Sequence, residues 1–421
     1  MYQAPRGTDD VLPEEFPYWQ YIQETAASFA RRYGHQPIRT PMFEQAGVFI
    51  RAVGEGTDIV EKEMFYLRTE EDLVLRPEGT AAVCRAYLEH GMFNLPQPVR
   101  LFYFAEAFRY ERPQAGRLRQ HTQFGVEAIG EEDPALDAEL IDMLWRLYAS
   151  LGLQNLTLLL NSIGDRACRP RYLEVLKAYY ADKLEDVCRD CRTRYERNPL
   201  RLLDCKQESC QPVIAAAPVI TDYLCEPCRR HFDRLQEYLT AIEIPYTPAP
   251  RLVRGLDYYT RTVFEVVPEG AGSQGTIGAG GRYDGLMEEL GGRPTPGIGF
   301  ATGIERIILN LKQQGLQPPE VPGVQAYVAH LGDAARLPAV RLTRELRAAG
   351  IRTVMGLGGR SLRAQLRHAN AVAARYVLII GDEEAASDTV QFRDMAEGAQ
   401  QRLPRGEAIL TLSHALGTEV R

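Results

Sequence analysis

The chain has 421 residues, 45 % of them apolar and 25 % charged, with a formal net charge of −7. So long a chain outgrows a single core and predicts two or three domains, with the balance of an ordinary globular protein. The acidic total argues against binding nucleic acid through bulk charge, although one basic face can serve within an acidic protein.

The first residues, MYQAPRGTDD, hold no apolar h-region, and no run approaches the length that spans a bilayer. A cytoplasmic chain is expected, its eight cysteines reduced. Up to about residue 320, strand and helix patterns alternate between glycine-rich turns. RPEGT (76–80) predicts a turn leading into a helix around Ala81 to Glu89. Glu78 there can accept hydrogen bonds from an ammonium group, while Thr80 alone reads as a helix cap. VRLFYFAEAFRYE (99–111) and HTQFGVEAIG (121–130) read as strands joined by a basic loop. On a period of two, Ala105, Ala107, Arg109 and Glu111 share one face, as do Gln123, Gly125 and Glu127. Small residues among Arg, Gln and Glu predict a hollow polar ligand floor; the alternative is a sheet face open to solvent. Arg109, Arg112, Arg117 and Arg119 on or beside the loop can grip a polyphosphate by bidentate bonds, or form a solvated basic turn. No GxxxxGK[ST] phosphate loop occurs.

From about 166 to 240 the composition changes: seven of the eight cysteines lie here, among short helical patterns. LVRGLDYYTRTVFE (252–265) follows. Arg254 beside Gly255 offers a planar cation where a ligand can approach the backbone, and Tyr258 and Tyr259 suit a nitrogen-bearing ring. The alternative is an ordinary amphipathic strand. GAGGRYDGL (278–286) lacks the strand and helix context of a dinucleotide loop. GIGFATGIERIILNL (297–311) runs a strand into a helix and sets Arg306 in its first turn, where the helix dipole favours an anion. GLQPPEVPG (315–323) reads as a linker. Beyond it come a strand (Ala326 to His330), a helix (Ala335 to Ala349), a strand (Arg352 to Met355), a helix (Ser361 to Ala373) and the buried strand RYVLIIG (375–381), a small α/β domain.

Together these segments resemble a class II aminoacyl-tRNA synthetase, and specifically the histidyl-tRNA synthetase family. IRTPMFE (38–44) resembles the first class II motif, with Pro41 in the dimer-forming position. FRYERPQAGRLRQHTQFGVEAIG (108–130) resembles the second and GIGFATGIERI (297–307) the third. LVRGLDYYT and GGRYDGL are similar to signatures of the histidine enzymes. The resemblance implies an α+β fold with a six- to seven-stranded antiparallel sheet flanked by helices, in a homodimer. The catalytic domain would span 1–320 with a mostly helical insertion at about 166–240, and an α/β anticodon-binding domain would span 324–421. The implied reaction activates L-histidine with ATP and Mg²⁺ to histidyl-adenylate, then acylates tRNA(His).

By the same resemblance Arg109 would grip the α-phosphate and Glu111 would meet the adenine amino group. Arg117 and Arg306 would contact the outer phosphates and the adenine face. Glu78, Thr80 and Gln123 would hold the substrate's amino group. Glu127 and Tyr259 would bracket the imidazole nitrogens, with Tyr258 walling the pocket. Arg254 would bridge the substrate carboxylate and the α-phosphate, and Gln114 would approach the extra 5′ guanosine of the tRNA. His121 stands where many relatives have an aromatic residue on adenine, and a histidine ring can still stack there. Many relatives also lack most of the insertion's thiols. Cys188-x₂-Cys191 and Cys225-x₂-Cys228 fit one structural tetrahedral Zn²⁺ site, though the 33 residues between them exceed the usual ribbon spacing. Reduced helix cysteines are the alternative.

Two other functions compete. A catalytically silent histidine-sensing regulatory subunit of ATP phosphoribosyltransferase would lose parts of LVRGLDYY and the anticodon-binding domain, and both patterns are present. An RNA-binding or kinase-regulatory module on this fold would not need Arg109, Gln123, Glu127, Arg254 and Arg306 together.

Overall fold

A computed structural model of the chain describes residues 2–54, 56–111, 118–270 and 275–417. The chain divides into two compact units, Met1–Pro319 and Glu320–Arg421.

The first unit is built on one large sheet. Its six central strands are β1 (Val99–Phe108), β2 (Gln120–Ile129), β3 (Leu156–Ser162), β4 (Thr260–Pro268), β5 (Gly278–Arg282) and β6 (Gly297–Gly303). They lie in the order β1-β2-β6-β5-β4-β3, every pair antiparallel. Two-residue strands, Gln36–Pro37 and Thr247–Pro248, add parallel edges and bring the total to eight. Both edge segments end in proline, which has no N–H to extend a ladder, so they are too short for a period-two signature.

One face of this sheet is covered by α1 (Phe16–Arg32), α3 (Pro134–Ser150) and the long helix α4 (Glu226–Ala241). Phe124, Val126 and Ala128 of β2 point there and meet Ile22, Leu140, Leu144 and Leu235. The alternate residues of β2 point to the other face, where α2 (Thr80–Glu89) and the segment around Arg254 lie over the sheet. The apolar spacing of α3 sets its buried side, and Asp133 Oδ1 caps it by accepting from Ala135 N at 2.8 Å. Helix α5 (Ile304–Gln313) leaves β6 directly, burying Ile304, Ile307, Ile308 and Leu311 at the expected spacing. Between β3 and β4 the chain forms helices 169–180, 189–197, 211–215 and α4, a mostly helical insertion.

The second unit has a five-stranded sheet. Its strands are β7 (Ala326–His330), β8 (Thr353–Met355), β9 (Tyr376–Ile380), β10 (Thr389–Asp394) and β11 (Gln400–Pro404), in the order β8-β7-β9-β10-β11. The first three are parallel and the last two antiparallel. Helices α6 (Arg336–Ala348) and α7 (Leu362–Ala371) fall where the apolar patterns predict them. The all-apolar run of β9 has both faces covered, by Leu342 and Leu412 on one side and Ala369 on the other. No helix among the described residues is long and apolar enough to cross a membrane.

Candidate active site

The β1–β2 ladder sets Ala107 opposite His121, Ala105 opposite Gln123, Tyr103 opposite Gly125 and Leu101 opposite Glu127. Small residues hollow this face, as the alternation predicts. Glycine does most of the hollowing: a Cβ on Gly79 or Gly125 would come within 2.3 or 2.2 Å of the Tyr103 ring. On β6, a Cβ at Gly299 would lie 1.9 Å from Glu127 Oε2. Glu127 is therefore sunk into the floor, where it accepts hydrogen bonds from Thr80 Oγ1 (2.8 Å), Tyr103 OH (3.0 Å) and Tyr283 OH (2.6 Å). Burial raises its pKa to about 8, even though the three hydroxyls favour the charged form.

Above this floor lies a cavity of about 510 Å³. Glu78, Thr80, Arg109, Glu111, His121 and Gln123 line it, as do Arg254, Tyr258, Tyr259 and Arg306. Glu127 is wholly buried and hydrogen-bonds Thr80 and Tyr283, which line the cavity. Arg117 and Gln114, together with Arg112, lie outside the described residues.

Thr80 does not cap α2. Its hydroxyl is turned to Glu127, and Glu78 takes the capping role, with carboxylate oxygens accepting from the N–H of Thr80 (2.7 Å) and Ala81 (2.8 Å). Burial pushes Glu78 above the usual carboxylate range, while those N–H groups pull the other way.

Three of the arginines that line the cavity come from separate segments outside the insertion. Arg109 follows the end of β1 and is fixed by Nε donating to Pro77 O at 2.9 Å. Arg254 forms an ion pair with Glu265 and lies 5.9 Å from the centre of the Tyr259 ring. Arg306, in the first turn of α5, donates to the carbonyl of Thr276. Gln123 Oε1, Arg254 Nε and Glu305 Oε2 are buried without a hydrogen-bond partner among the described residues. Such atoms cost free energy unless a ligand meets them. The site thus offers converging cations for anionic groups, aromatic walls for a ring, and buried polar atoms that fix orientation.

Sequence reasoning missed Tyr103, Tyr283, Glu265 and Glu305. Tyr283 stands within GGRYDGL and Glu305 beside Arg306, so both lay next to quoted signals. The same GGRYDGL segment anchors itself through Arg282, wholly buried, whose guanidinium meets Asp137 at 2.7 Å and Asp284 at 3.1 Å. His231 of α4 binds the other oxygen of Asp137 at 2.9 Å. The insertion also supplies a wall: Arg194 and Arg201 line the cavity and both reach Asp58 Oδ2, at 3.1 and 3.2 Å.

The four cysteines expected at one zinc site do not meet. Cys188 and Cys191 gather with Cys205 and Cys210, whereas Cys225 and Cys228 gather with Asp165 and Cys168. The intervening residues fold into their own helical turns and bring Cys205 and Cys210 to the first pair, while Asp165 and Cys168, ahead of the insertion's helices, come to the second.

A family model for histidyl-tRNA synthetase matches residues 7–307, and a model for an anticodon binding domain matches 325–414. The chain belongs to the histidyl-tRNA synthetase family. The histidine–tRNA ligase of Dehalococcoides mccartyi is 54 % identical over 411 residues, 97 % of this chain and 98 % of that one. The apo histidyl-tRNA synthetase of S. aureus superposes with a TM-score of 0.82 at 36 % identity, covering 98 % of this chain and all (100 %) of that one. These likenesses fix the fold as that of a class II synthetase, with an antiparallel sheet flanked by helices and a C-terminal anticodon-binding domain. An ATP phosphoribosyltransferase regulatory subunit/histidyl-tRNA synthetase from Bacillus halodurans, at 22 % identity and a TM-score of 0.65 over 90 % of this chain and 98 % of that one, shares the fold. Histidyl-tRNA synthetases at 36 % and 54 % identity lie nearer in sequence.

Proposed function

We propose that the chain is a histidine–tRNA ligase: it joins L-histidine to ATP as histidyl-adenylate, releasing pyrophosphate, and passes the histidyl group to tRNA(His). One observation carries this reading: Arg109, Arg254 and Arg306 converge on one cavity whose floor holds the Glu127–Thr80–Tyr283 hydroxyl cluster. Adenylation asks little covalent help of a protein; it asks for in-line alignment and cations about the α-phosphate.

Arg109 and Arg254 are the cations for the carboxylate and α-phosphate, and Arg306 and Arg117 serve the rest of the nucleotide. Glu111 and His121 receive the adenine. Glu78, Thr80 and Gln123 hold the ammonium group, the unpartnered Oε1 of Gln123 being a ready acceptor. Tyr258 and Tyr259 wall the imidazole, and Glu127 tunes its surroundings through Thr80 and Tyr283. A site that hydrogen-bonds both ring nitrogens rejects amino acids lacking them by large factors without editing.

ATP brings Mg²⁺, a hard cation that neutralises phosphate charge. Glu305 fits it: one oxygen accepts from Thr122 N at 2.7 Å while Oε2 is buried and unpartnered. The unit from Met1 to Pro319 would be the catalytic domain and the unit beyond it the anticodon-binding domain, with Gln114 meeting the tRNA's 5′ end. Dimerisation would use the exposed apolar side chains of Met42, Phe43 and Tyr66 about the small sheet 43–45, 65–66 and 73–75. The cytoplasm, where ATP and tRNA are found, is the expected location.

The test is amino-acid-dependent ATP–pyrophosphate exchange with all twenty amino acids singly. Exchange with histidine alone is expected. Histidine binding by calorimetry without any exchange would instead favour the regulatory-subunit function.

A further inference from the structure

We propose that the insertion holds two structural zinc ions, one on Cys188, Cys191, Cys205 and Cys210, the other on Asp165, Cys168, Cys225 and Cys228. Within each set the four ligand atoms lie within 4.8 Å of one another. Zinc–thiolate bonds of about 2.3 Å in a tetrahedron separate sulphurs by about 3.8 Å. The Cys188 and Cys205 sulphurs are 3.7 Å apart, far beyond the about 2.05 Å of a disulfide.

The two CxxC pairs share one local geometry. Cys188 and Cys225 are each the N-cap of a helix, with φ/ψ of −63/163° and −67/162°, and Cys191 and Cys228 follow in the first turn. This knuckle turns both sulphurs of a pair toward one point. Cys205, between the turns at 199–202 and 208–210, and Cys210, at the end of the second, complete the first set, and Cys188 N donates to Cys210 Sγ at 3.2 Å. In the second set Asp165 faces Cys168 Sγ at 3.6 Å, and its other oxygen lies 3.7 Å from Arg261 Nε, which offsets the negative charge of a three-thiolate, one-carboxylate site.

Soft sulphur ligands in a tetrahedral cage select zinc over magnesium or calcium. Four protein ligands leave no position open for chemistry, so both ions are structural. Their work is mechanical. The second set fastens residues 165–168, ahead of the insertion's helices, to 225–228 at its last helix, so it closes the insertion at its base. The first set stiffens the arm that carries Arg194 and Arg201 to Asp58.

The test is elemental analysis of the full-length chain, purified without chelator, with alkylation of its thiols followed by mass spectrometry. Two zinc ions per chain are expected, with the insertion thiols protected until a chelator is added. One equivalent or less overturns the two-site assignment, as do disulfides among these cysteines or thiols that alkylate at once. The wild-type measurement does not depend on any variant folding. In addition, Asp165→Ala is expected to lower the content from two toward one while the Cys188 set stays protected. Retention of two would remove Asp165 from the ligand set.

Discussion

Glu127 and Arg254 illustrate how single side chains are tuned by what surrounds them. Glu127 has a pKa near 8 because burial disfavours its charged form. An unfolded chain would release that proton near 4.5. Between these values the folded chain keeps a proton that the unfolded chain has lost, so stability falls as pH rises through the window. Glu127→Gln should flatten that part of the profile; urea midpoints of both proteins between pH 5 and 8 would read it, and an unchanged slope would assign it elsewhere. Arg254 is partly exposed and packs on Tyr259, so Arg254→Ala should leave the fold intact. Under the proposed function it should lower the adenylation rate by roughly 10²–10³-fold and weaken histidine binding far less. Single-turnover kinetics beside equilibrium binding would separate the two, and lost binding with an unimpaired chemical step would contradict the role.

At the level of elements, the hairpin, the β6–α5 junction and the alternating C-terminal pattern could be read in the sequence because each obeys a local period. Strand β11 could not, since QQRLP is an almost wholly exposed edge with little apolar alternation; β10 does alternate, burying Val390 and Phe392, and sequence reasoning missed that signal. Tyr103 escaped for a different reason: its place depends on Gly79 and Gly125, from separate segments, making room together. Arg282 belongs with it. The GGRYDGL segment is held by a fully buried guanidinium that joins β5 to α3 through Asp137, and His231 extends the link to α4. Burial alone would raise Asp137, but Arg282 and His231 outweigh it and hold the carboxyl low. Arg282→Met strips the buried carboxylate of its guanidinium, leaving it His231 alone, and should cost about 3–5 kcal/mol in chemical denaturation. A loss below 1 kcal/mol would mean that the cluster relaxes or hydrates easily.

Over the whole molecule, the linker and the change in composition at the insertion could be read from the sequence, whereas the grouping of the cysteines was not. Spacing joined the two CxxC pairs, but three-dimensional folding gave each pair its own partners. For the proposed homodimer, Phe43 is 53 % exposed on a short strand, so Phe43→Asp should leave circular dichroism unchanged and shift the light-scattering mass toward one chain. A persistent dimer would move the interface elsewhere. The cavity's cations have a consequence at the same scale. Arg254 rests on Glu265, Arg201 and Arg194 on Asp58, and Arg109 lies 3.9 Å from Glu111. The protein thus carries its own counterions into the site. An arriving anion swaps places with an internal carboxylate and sheds few ions to the bulk, so substrate affinity should change little as salt is raised, unlike the steep loss of a bare basic surface.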